Sequence, residues 1–343
     1  MGPTVYNLTQ CAEAAQTVRN VWYLLPSIFN FLSSVICIVL AIQTYRKYHF
    51  RQEYHVNTKI LISLNMASNL IFTVATSGNY GLLIFNAMVA TADCDLLYTT
   101  PGCSALRRAF FFTTMLNTVT HIALICERGY ATYKLYEYEQ KGKTFGLFLA
   151  TACVIGSMTI VMMVTWNEDP DEMLTNCYAF SSCPSISDRA YMMFKFQLAL
   201  ELITCVACRF ISRIVKRNDY NCYLLSARFT NVETLSVLND ISPLYTTSGA
   251  LVASYIGFTH LGHYLRPFMS LPHYKQFASW IFILPQHSLI TMILYSKFFK
   301  NQAKGKGDRL KDTLSINLEK AQNYEIPKEW KVESTPQAMR RFA

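Results

Sequence analysis

A glutamate and an arginine, Glu127 and Arg128, stand side by side where an uncharged stretch of the sequence ends. No charged residue lies between Ala109 and Cys126. At about 1.5 Å of rise per residue, a helix that begins at Cys103 crosses the roughly 30 Å hydrocarbon layer of a membrane. A charge placed at the centre of a bilayer costs about 2.5–3.5 kcal/mol. We therefore expect the two charges to lie at a membrane interface.

Polar side chains inside the apolar stretches are the second group that could do chemistry. Because intramembrane polar groups face the interior of a helix bundle or a cavity, they are candidates for binding a small ligand. Gln197 and Glu201, for example, lie one turn apart on one helical face. Each candidate could instead hydrogen-bond to a neighbouring helix. The candidates are Arg107, Thr114, Asn117, Lys195, Glu201, Tyr255, Gln286 and His287.

The sequence has no catalytic pattern of a known type. It lacks HExxH, GxSxG, a Walker lysine and an intramembrane pair of aspartates. Three histidines, His260, His263 and His273, surround one proposed loop, but no acid completes a zinc site with them. We predict no enzymatic activity, no metal and no cofactor.

Seven apolar stretches account for most of the 343 residues, of which 52% are hydrophobic and 15% are charged. Soluble domains carry about 25% charged residues. The third stretch starts at Cys103, and the others cover residues 23–45, 60–89, 145–166, 190–213, 234–258 and 277–299. Pro243 and Pro285 interrupt the sixth and the seventh. The pattern predicts an all-α membrane protein built as a seven-transmembrane helix bundle.

The distribution of cations predicts the orientation of this bundle. Lysines and arginines gather after the first, third and fifth stretches and in the tail, whereas acids gather in the opposite loops. Because cytoplasmic loops carry the excess of Lys and Arg, we expect the N-terminus outside and the C-terminus inside. Residues 1–22 then form an extracellular N-terminus with a glycosylation sequon at Asn7, residues 23–299 the seven-transmembrane domain, and residues 300–343 a cytoplasmic tail. This topology explains the net charge of +9, so we predict no nucleic-acid partner.

The flanks of the third stretch resemble a known family. Cys94-Asp95 and Pro101-Gly102-Cys103 precede the stretch, ERGYATYKLYEYE follows it, and LLSARFTNVETLSVL occupies 224–238. These sequences resemble the nematode serpentine chemoreceptors of the alpha and alpha-beta classes, which are G-protein-coupled receptors. The resemblance implies a chemosensory receptor that binds a small chemical and activates a heterotrimeric G protein. It also implies a location in the plasma membrane, in the cilia of sensory neurons.

The resemblance also implies roles for particular residues. A disulfide bond would join Cys103 to Cys177, with Cys183 as the competing partner. In the resting state Arg128 would be held by an acid, and it would be released when the inner ends of the helices separate. The positions implied for G-protein coupling are Glu127, Arg128, Arg228 and Glu233.

The chain departs from rhodopsin-like receptors in its seventh stretch, which reads LPQHSLITMILYSK in place of Asn-Pro-x-x-Tyr. The rhodopsin activation switches are therefore not transferred. A ligand-gated channel or transporter subunit is the alternative, although seven-helix insect odorant channels place the N-terminus inside. A transporter is expected to show paired broken helices in two halves, and no such repeat is present. A membrane hydrolase is the third hypothesis.

Overall fold

The computed structural model describes residues 8–48, 55–134, 138, 142–178, 186–219 and 225–300, and most of them are helical. Within these ranges nine helices follow one another along the chain. They are α1 (Leu8–Val18), α2 (Val21–Tyr48), α3 (Val56–Val89), α4 (Thr100–Tyr133), α5 (Thr144–Val164), α6 (Ser187–Asp219), α7 (Leu225–Leu265), α8 (Leu271–Ile281) and α9 (284–300). Two short strands, β1 (Tyr98–Thr99) and β2 (Met173–Leu174), form an antiparallel pair.

Five stretches of the described helices are apolar and long enough to cross a membrane by themselves. They are α2, α3, α4, α5 and the stretch Leu271–Lys300, which comprises α8 and α9. Helices α6 and α7, with 33 and 41 residues, have the length but are more polar. They pack against each other and against α4, and so complete the set of seven.

The seventh span is not one continuous helix. Helix α8 ends at Ile281, two non-helical residues follow, and α9 begins at residue 284. Pro285 is the second residue of α9, where a missing backbone N–H costs nothing because first-turn N–H groups have no partner within the helix. The proline thus marks the start of a helix, whereas the sequence placed it inside one.

Two disulfide bonds lie at the same end of the bundle, which we call the disulfide end. Cys103, in the first turn of α4, bonds to Cys177 in the connection between α5 and α6. The sequence did not predict the second bond, from Cys11 in α1 to Cys94 between α3 and α4. Cys183 and the sequon residue Asn7 lie outside the described residues.

Gly146 brings α5 into direct contact with the first turn of α3. A Cβ atom at residue 146 would lie 2.7 Å from the Asn57 Cα atom, and the backbone N–H of Gly146 donates to Asn57 Oδ1 at 3.1 Å. At Gly156, on the same helix, a Cβ atom would meet nothing within 4 Å.

These two glycines predict stability changes of opposite sign. We expect Gly146→Ala to lower the stability of the protein by about 1–3 kcal/mol, because the contact is with backbone that cannot move aside. Gly156→Ala should raise it by roughly 0.5–1 kcal/mol, because alanine favours the helix. Thermal unfolding of detergent-purified protein, followed by intrinsic fluorescence, measures both. Shifts of equal sign and size would show that the α3–α5 contact does not limit stability.

Candidate functional site

Glu127 and Arg128 lie near the end of α4, and both side chains are fully buried. The Arg128 Nε atom is 2.5 Å from Glu127 Oε2, and its Nη2 atom is 2.7 Å from Glu127 Oε1. Since 25 residues separate Cys103 from Arg128 (128 − 103), a helix places them roughly 38 Å apart. The pair therefore lies at the end of the bundle opposite the disulfides, which we call the arginine end.

Residues from other elements surround this pair. Arg128 Nη2 donates to Thr58 Oγ1 on α3, and the Tyr138 hydroxyl donates to Glu127 Oε1. Tyr138 follows α4 in the chain, and burial raises its pKa, with a further contribution from the Glu127 carboxylate. The phenol therefore keeps its proton at neutral pH and acts as a donor to Glu127.

Glu233 connects α7 to the same cluster. Its Oε1 atom lies 3.2 Å from Arg128 Nη1, an ion pair by distance although the angles do not make a hydrogen bond. The same oxygen accepts the backbone N–H of His55 at 2.9 Å. One guanidinium thus holds two carboxylates, one from its own helix and one from α7. We call Thr58, Glu127, Arg128, Tyr138 and Glu233 the arginine cluster.

The structure brings together three of the four residues implied for G-protein coupling, namely Glu127, Arg128 and Glu233. The side chain of Arg228 lies outside the described residues. Sequence reasoning missed Thr58 and Tyr138. Tyr138 lies within the ERGYATYKLYEYE stretch, but nothing in the sequence of α3 distinguishes Thr58.

A second polar cluster lies in the middle of the bundle around Glu201, which is fully buried on α6. Its Oε1 atom accepts from Ser248 Oγ on α7 at 2.8 Å and from Thr118 Oγ1 on α4 at 3.0 Å. His121 Nδ1 on α4 is 3.2 Å from the same oxygen. Glu201 was a predicted ligand contact, and here its lone pairs are taken by neighbouring helices. In the sequence, the i, i+3 spacing of Thr118 and His121 places both on one face of α4, and this was the only indication that they share a partner.

At the disulfide end, a small cavity of about 50 Å³ opens among tyrosines. Besides the five phenol rings, Lys275 and Asn176 also line it. Of the predicted ligand residues, Tyr255 alone is among the described residues that line this cavity. The tyrosines are Tyr23, Tyr80, Tyr178, Tyr255 and Tyr274.

Four other predicted ligand residues form contacts within the protein. Arg107 forms a buried ion pair with Glu168 and donates to the Cys177 carbonyl at 3.3 Å, so it fastens the disulfide-linked loop. The remaining three make hydrogen bonds of 2.6–3.3 Å: Thr114 to the Phe110 carbonyl, Asn117 to Asn69, and Gln286 to Asn30.

Two predicted ligand residues remain. Buried His287 lies on α9, and its Nε2 atom has no hydrogen-bond partner among the described residues. Lys195 does not face the interior, contrary to our expectation. Its side chain is exposed on the outside of α6, where the ammonium lies 4.4 Å from the centre of the Tyr191 ring. A long apolar stem lets the lysine follow the surface of the bundle.

Seven membrane spans, a disulfide-fastened loop at one end and a buried ion cluster at the other define a multi-pass, receptor-like membrane protein. The chain belongs to the serpentine class ab chemoreceptor family, since the family model described as "Serpentine type 7TM GPCR receptor class ab chemoreceptor" matches residues 8–329. The predicted family and the predicted seven-transmembrane all-α fold are confirmed. The family consists of receptors and not of enzymes.

Several known proteins of Caenorhabditis elegans are similar to the chain. It is 30% identical to serpentine receptor class alpha-39 over 276 residues, which cover 80% of this chain and 74% of that protein. It is 19% identical to serpentine receptor class beta-16 over 247 residues, 72% of each chain. Serpentine receptor class beta-17 is 24% identical over 224 residues, 62% of this chain and 60% of that protein.

Proposed function

We propose that the protein is a chemosensory receptor that binds a small chemical at the disulfide end and activates a heterotrimeric G protein at the arginine end. The observation that carries the proposal is the arginine cluster. The buried guanidinium of Arg128 on α4 contacts Thr58 on α3 and Glu233 on α7. Separation of α7 from α4 must break this ion pair, so the cluster favours the closed arrangement of helices.

The disulfides support the orientation that we propose. Disulfide bonds form and persist in oxidising compartments, so the end with Cys11–Cys94 and Cys103–Cys177 faces the outside of the cell. The arginine end then faces the cytoplasm, where a G protein is available. Residues 1–22 are extracellular and residues 300–343 form the cytoplasmic tail. The location we propose is the plasma membrane of sensory neurons, in their cilia.

The tyrosine-lined cavity has the chemistry to bind a small ligand with hydrogen-bond acceptors, and at about 50 Å³ it must widen to admit one. Its phenol hydroxyls and the Lys275 ammonium can donate, and the aromatic rings offer apolar contact. Tyr255 on α7 and Phe282 at the α8–α9 break line this cavity together. A ligand there contacts the helix that carries Glu233, so it can bias the position of α7.

Activation is then a shift between two populations. The ligand binds better to the arrangement in which the arginine ends of α4, α6 and α7 are apart. To shift the ratio of the two arrangements from 1:99 to 99:1, a ligand needs a preference of about 5.5 kcal/mol.

Removal of the charge on Glu233 should raise signalling without ligand. Glu233→Gln keeps an oxygen for the His55 N–H but loses the ion pair with Arg128, so the closed arrangement loses about 1–2 kcal/mol, a factor of roughly 5–30 in the ratio of the two arrangements. We expect several-fold higher basal G-protein activation in transfected cells at matched surface expression. Asp188→Asn, an exposed change at the other end of the bundle, should leave the basal level unchanged.

The same cells test the receptor function against the channel alternative. We would present a panel of small volatile and water-soluble chemicals to the wild type and record both G-protein activation and membrane current. A chemical that activates the G protein supports the receptor. A chemically evoked current that persists with G proteins blocked, together with unchanged basal signalling in Glu233→Gln, would replace it with a ligand-gated channel.

A further inference from the structure

Three cations lie along one side of α6 near the arginine end. Arg209, Arg213 and Lys216 are spaced by four and three residues, so they lie on one helical face. With Asn239 and Ser242 of α7 they line a crevice of about 240 Å³ between the two helices. Cys208 of α6 also lines this crevice, and its thiol contacts the Leu238 carbonyl oxygen of α7 at 3.8 Å.

The crevice opens on the outside of the bundle, within reach of the membrane. Next to the cations in the chain, Val206 and Phe210 expose 68% and 62% of their surface, and Ile214 is also exposed. Such apolar side chains on the outer surface of a membrane helix contact lipid. Arg209 lies 10 residues before the end of α6 at Asp219 (219 − 209), which is roughly 15 Å along the helix axis. The three cations therefore lie in roughly the last 15 Å of α6, where Lys and Arg of a membrane helix are expected at the headgroup level.

The described residues offer these three cations no counter-charge. None of the three forms an ion pair with a carboxylate among the described side chains, which do not include that of Asp219. The buried arginines of the bundle behave differently, because Arg107 and Arg128 each pair with a carboxylate. Cations at the end of a membrane helix are stabilised by anions near the membrane surface, so the phosphate of a lipid headgroup fits this group.

We propose that the crevice between α6 and α7 binds the phosphate headgroup of an anionic phospholipid from the surrounding leaflet. Two guanidinium groups match phosphate oxygens with forked hydrogen bonds, and Lys216 adds a point charge. Ser212, Ser242 and Asn239 supply neutral hydrogen-bonding groups around them. Basic pockets between helices near the headgroup level bind lipid headgroups in this way. The site does not rest on the proposed signalling function, and it is tested without signalling.

The test is direct binding of a short-chain lipid. Full-length protein is purified into phosphatidylcholine nanodiscs, and binding of dioctanoyl phosphatidylinositol bisphosphate is measured by native mass spectrometry. We expect the triple variant R209Q/R213Q/K216Q to bind at least about tenfold more weakly, because it loses all of the charge-assisted hydrogen bonds that the three cations donate to the phosphate. Lys195→Gln removes an exposed cation elsewhere on the same helix and should bind like the wild type.

Further arms separate the sources of the phosphate. Inorganic phosphate and a soluble inositol phosphate should compete poorly, because they lack acyl chains for Val206 and Phe210. If they compete as well as the lipid, the crevice is a site for free anions and the lipid assignment is wrong. Equal binding by the wild type and a triple variant with an unchanged thermal midpoint would overturn the site. If the triple variant does not fold, Arg213→Gln alone replaces it, and the same comparison decides.

Discussion

Arg128→Ala is expected to destabilise the protein by roughly 3–5 kcal/mol, the cost of leaving buried charges without their partner. In the arginine cluster the guanidinium contacts two carboxylates, Glu127 and Glu233, and the Thr58 hydroxyl. Without it, both acids lose their cation, and among the described residues only neutral donors such as Thr58, Tyr138 and the His55 N–H contact them. We expect a much lower thermal midpoint in detergent. We also expect loss of G-protein activation in cells, because so large a destabilisation leaves little folded receptor and outweighs the release of α7.

Two further substitutions show whether the geometry of the cluster matters. Arg128→Lys restores the charge but not the fork that reaches Glu127 and Thr58 together, so it should recover only part of the stability. Arg108→Ala removes an exposed arginine from the other end of the same helix and should change the midpoint little. A midpoint for Arg128→Ala close to that of Arg108→Ala would show that the cluster is not an important source of stability.

Glu201→Ala is expected to have the second largest effect. It removes the acceptor that Ser248, Thr118 and His121 share in the middle of the bundle. Each buried donor left without a partner costs about 1–3 kcal/mol, so the sum is on the order of 3–5 kcal/mol after local rearrangement. Since Thr118 and His121 lie on α4 and Ser248 on α7, the polar contacts of Glu201 with both neighbouring helices are lost together. Thermal unfolding of purified protein measures the loss.

Glu201→Gln separates hydrogen bonding from charge at this position. Its amide oxygen can still accept from Ser248 and Thr118, so we expect it to lose less than half as much stability as Glu201→Ala. Lys195→Ala, an exposed change on the same helix, is the control. If Ala and Gln lower the midpoint equally, charge and not hydrogen bonding holds the three helices together at Glu201.

Hydropathy was sufficient to identify four of the helices. Helices α2, α3, α4 and α5 are apolar enough to be recognised without tertiary information. Helices α6 and α7 are less apolar, because α6 carries exposed cations such as Lys195 and Arg213 and both helices bury polar groups, as Glu201 and Ser248 do. The sequence also did not predict the break between α8 and α9, because a proline such as Pro285 is compatible with both the first turn and the kinked interior of a membrane helix.

The candidate sites likewise contain some contacts that the sequence predicts and others that it does not. Adjacent residues such as Glu127 and Arg128 can be recognised as a pair from the sequence, whereas Glu233 lies 105 residues further along the chain (233 − 128). The bond between Cys11 and Cys94 joins residues 83 apart, and spacing alone leaves several pairings open. Lys195 shows the opposite case, since a polar residue in an apolar stretch was expected to face inward and lies on the outer surface.

The sequence by itself determined the class of protein, the number of spans and the position of the buried charge pair, because hydropathy and adjacent charges are local properties of a chain. Only the tertiary structure decided which side chains satisfy one another: Thr58, Tyr138 and Glu233 around Arg128, Ser248 and His121 around Glu201, and tyrosines from five segments around one cavity. The physical reason is that a buried polar group must find its partner wherever packing places one. The spacing of residues along one helix does not determine which residues of other helices lie next to it.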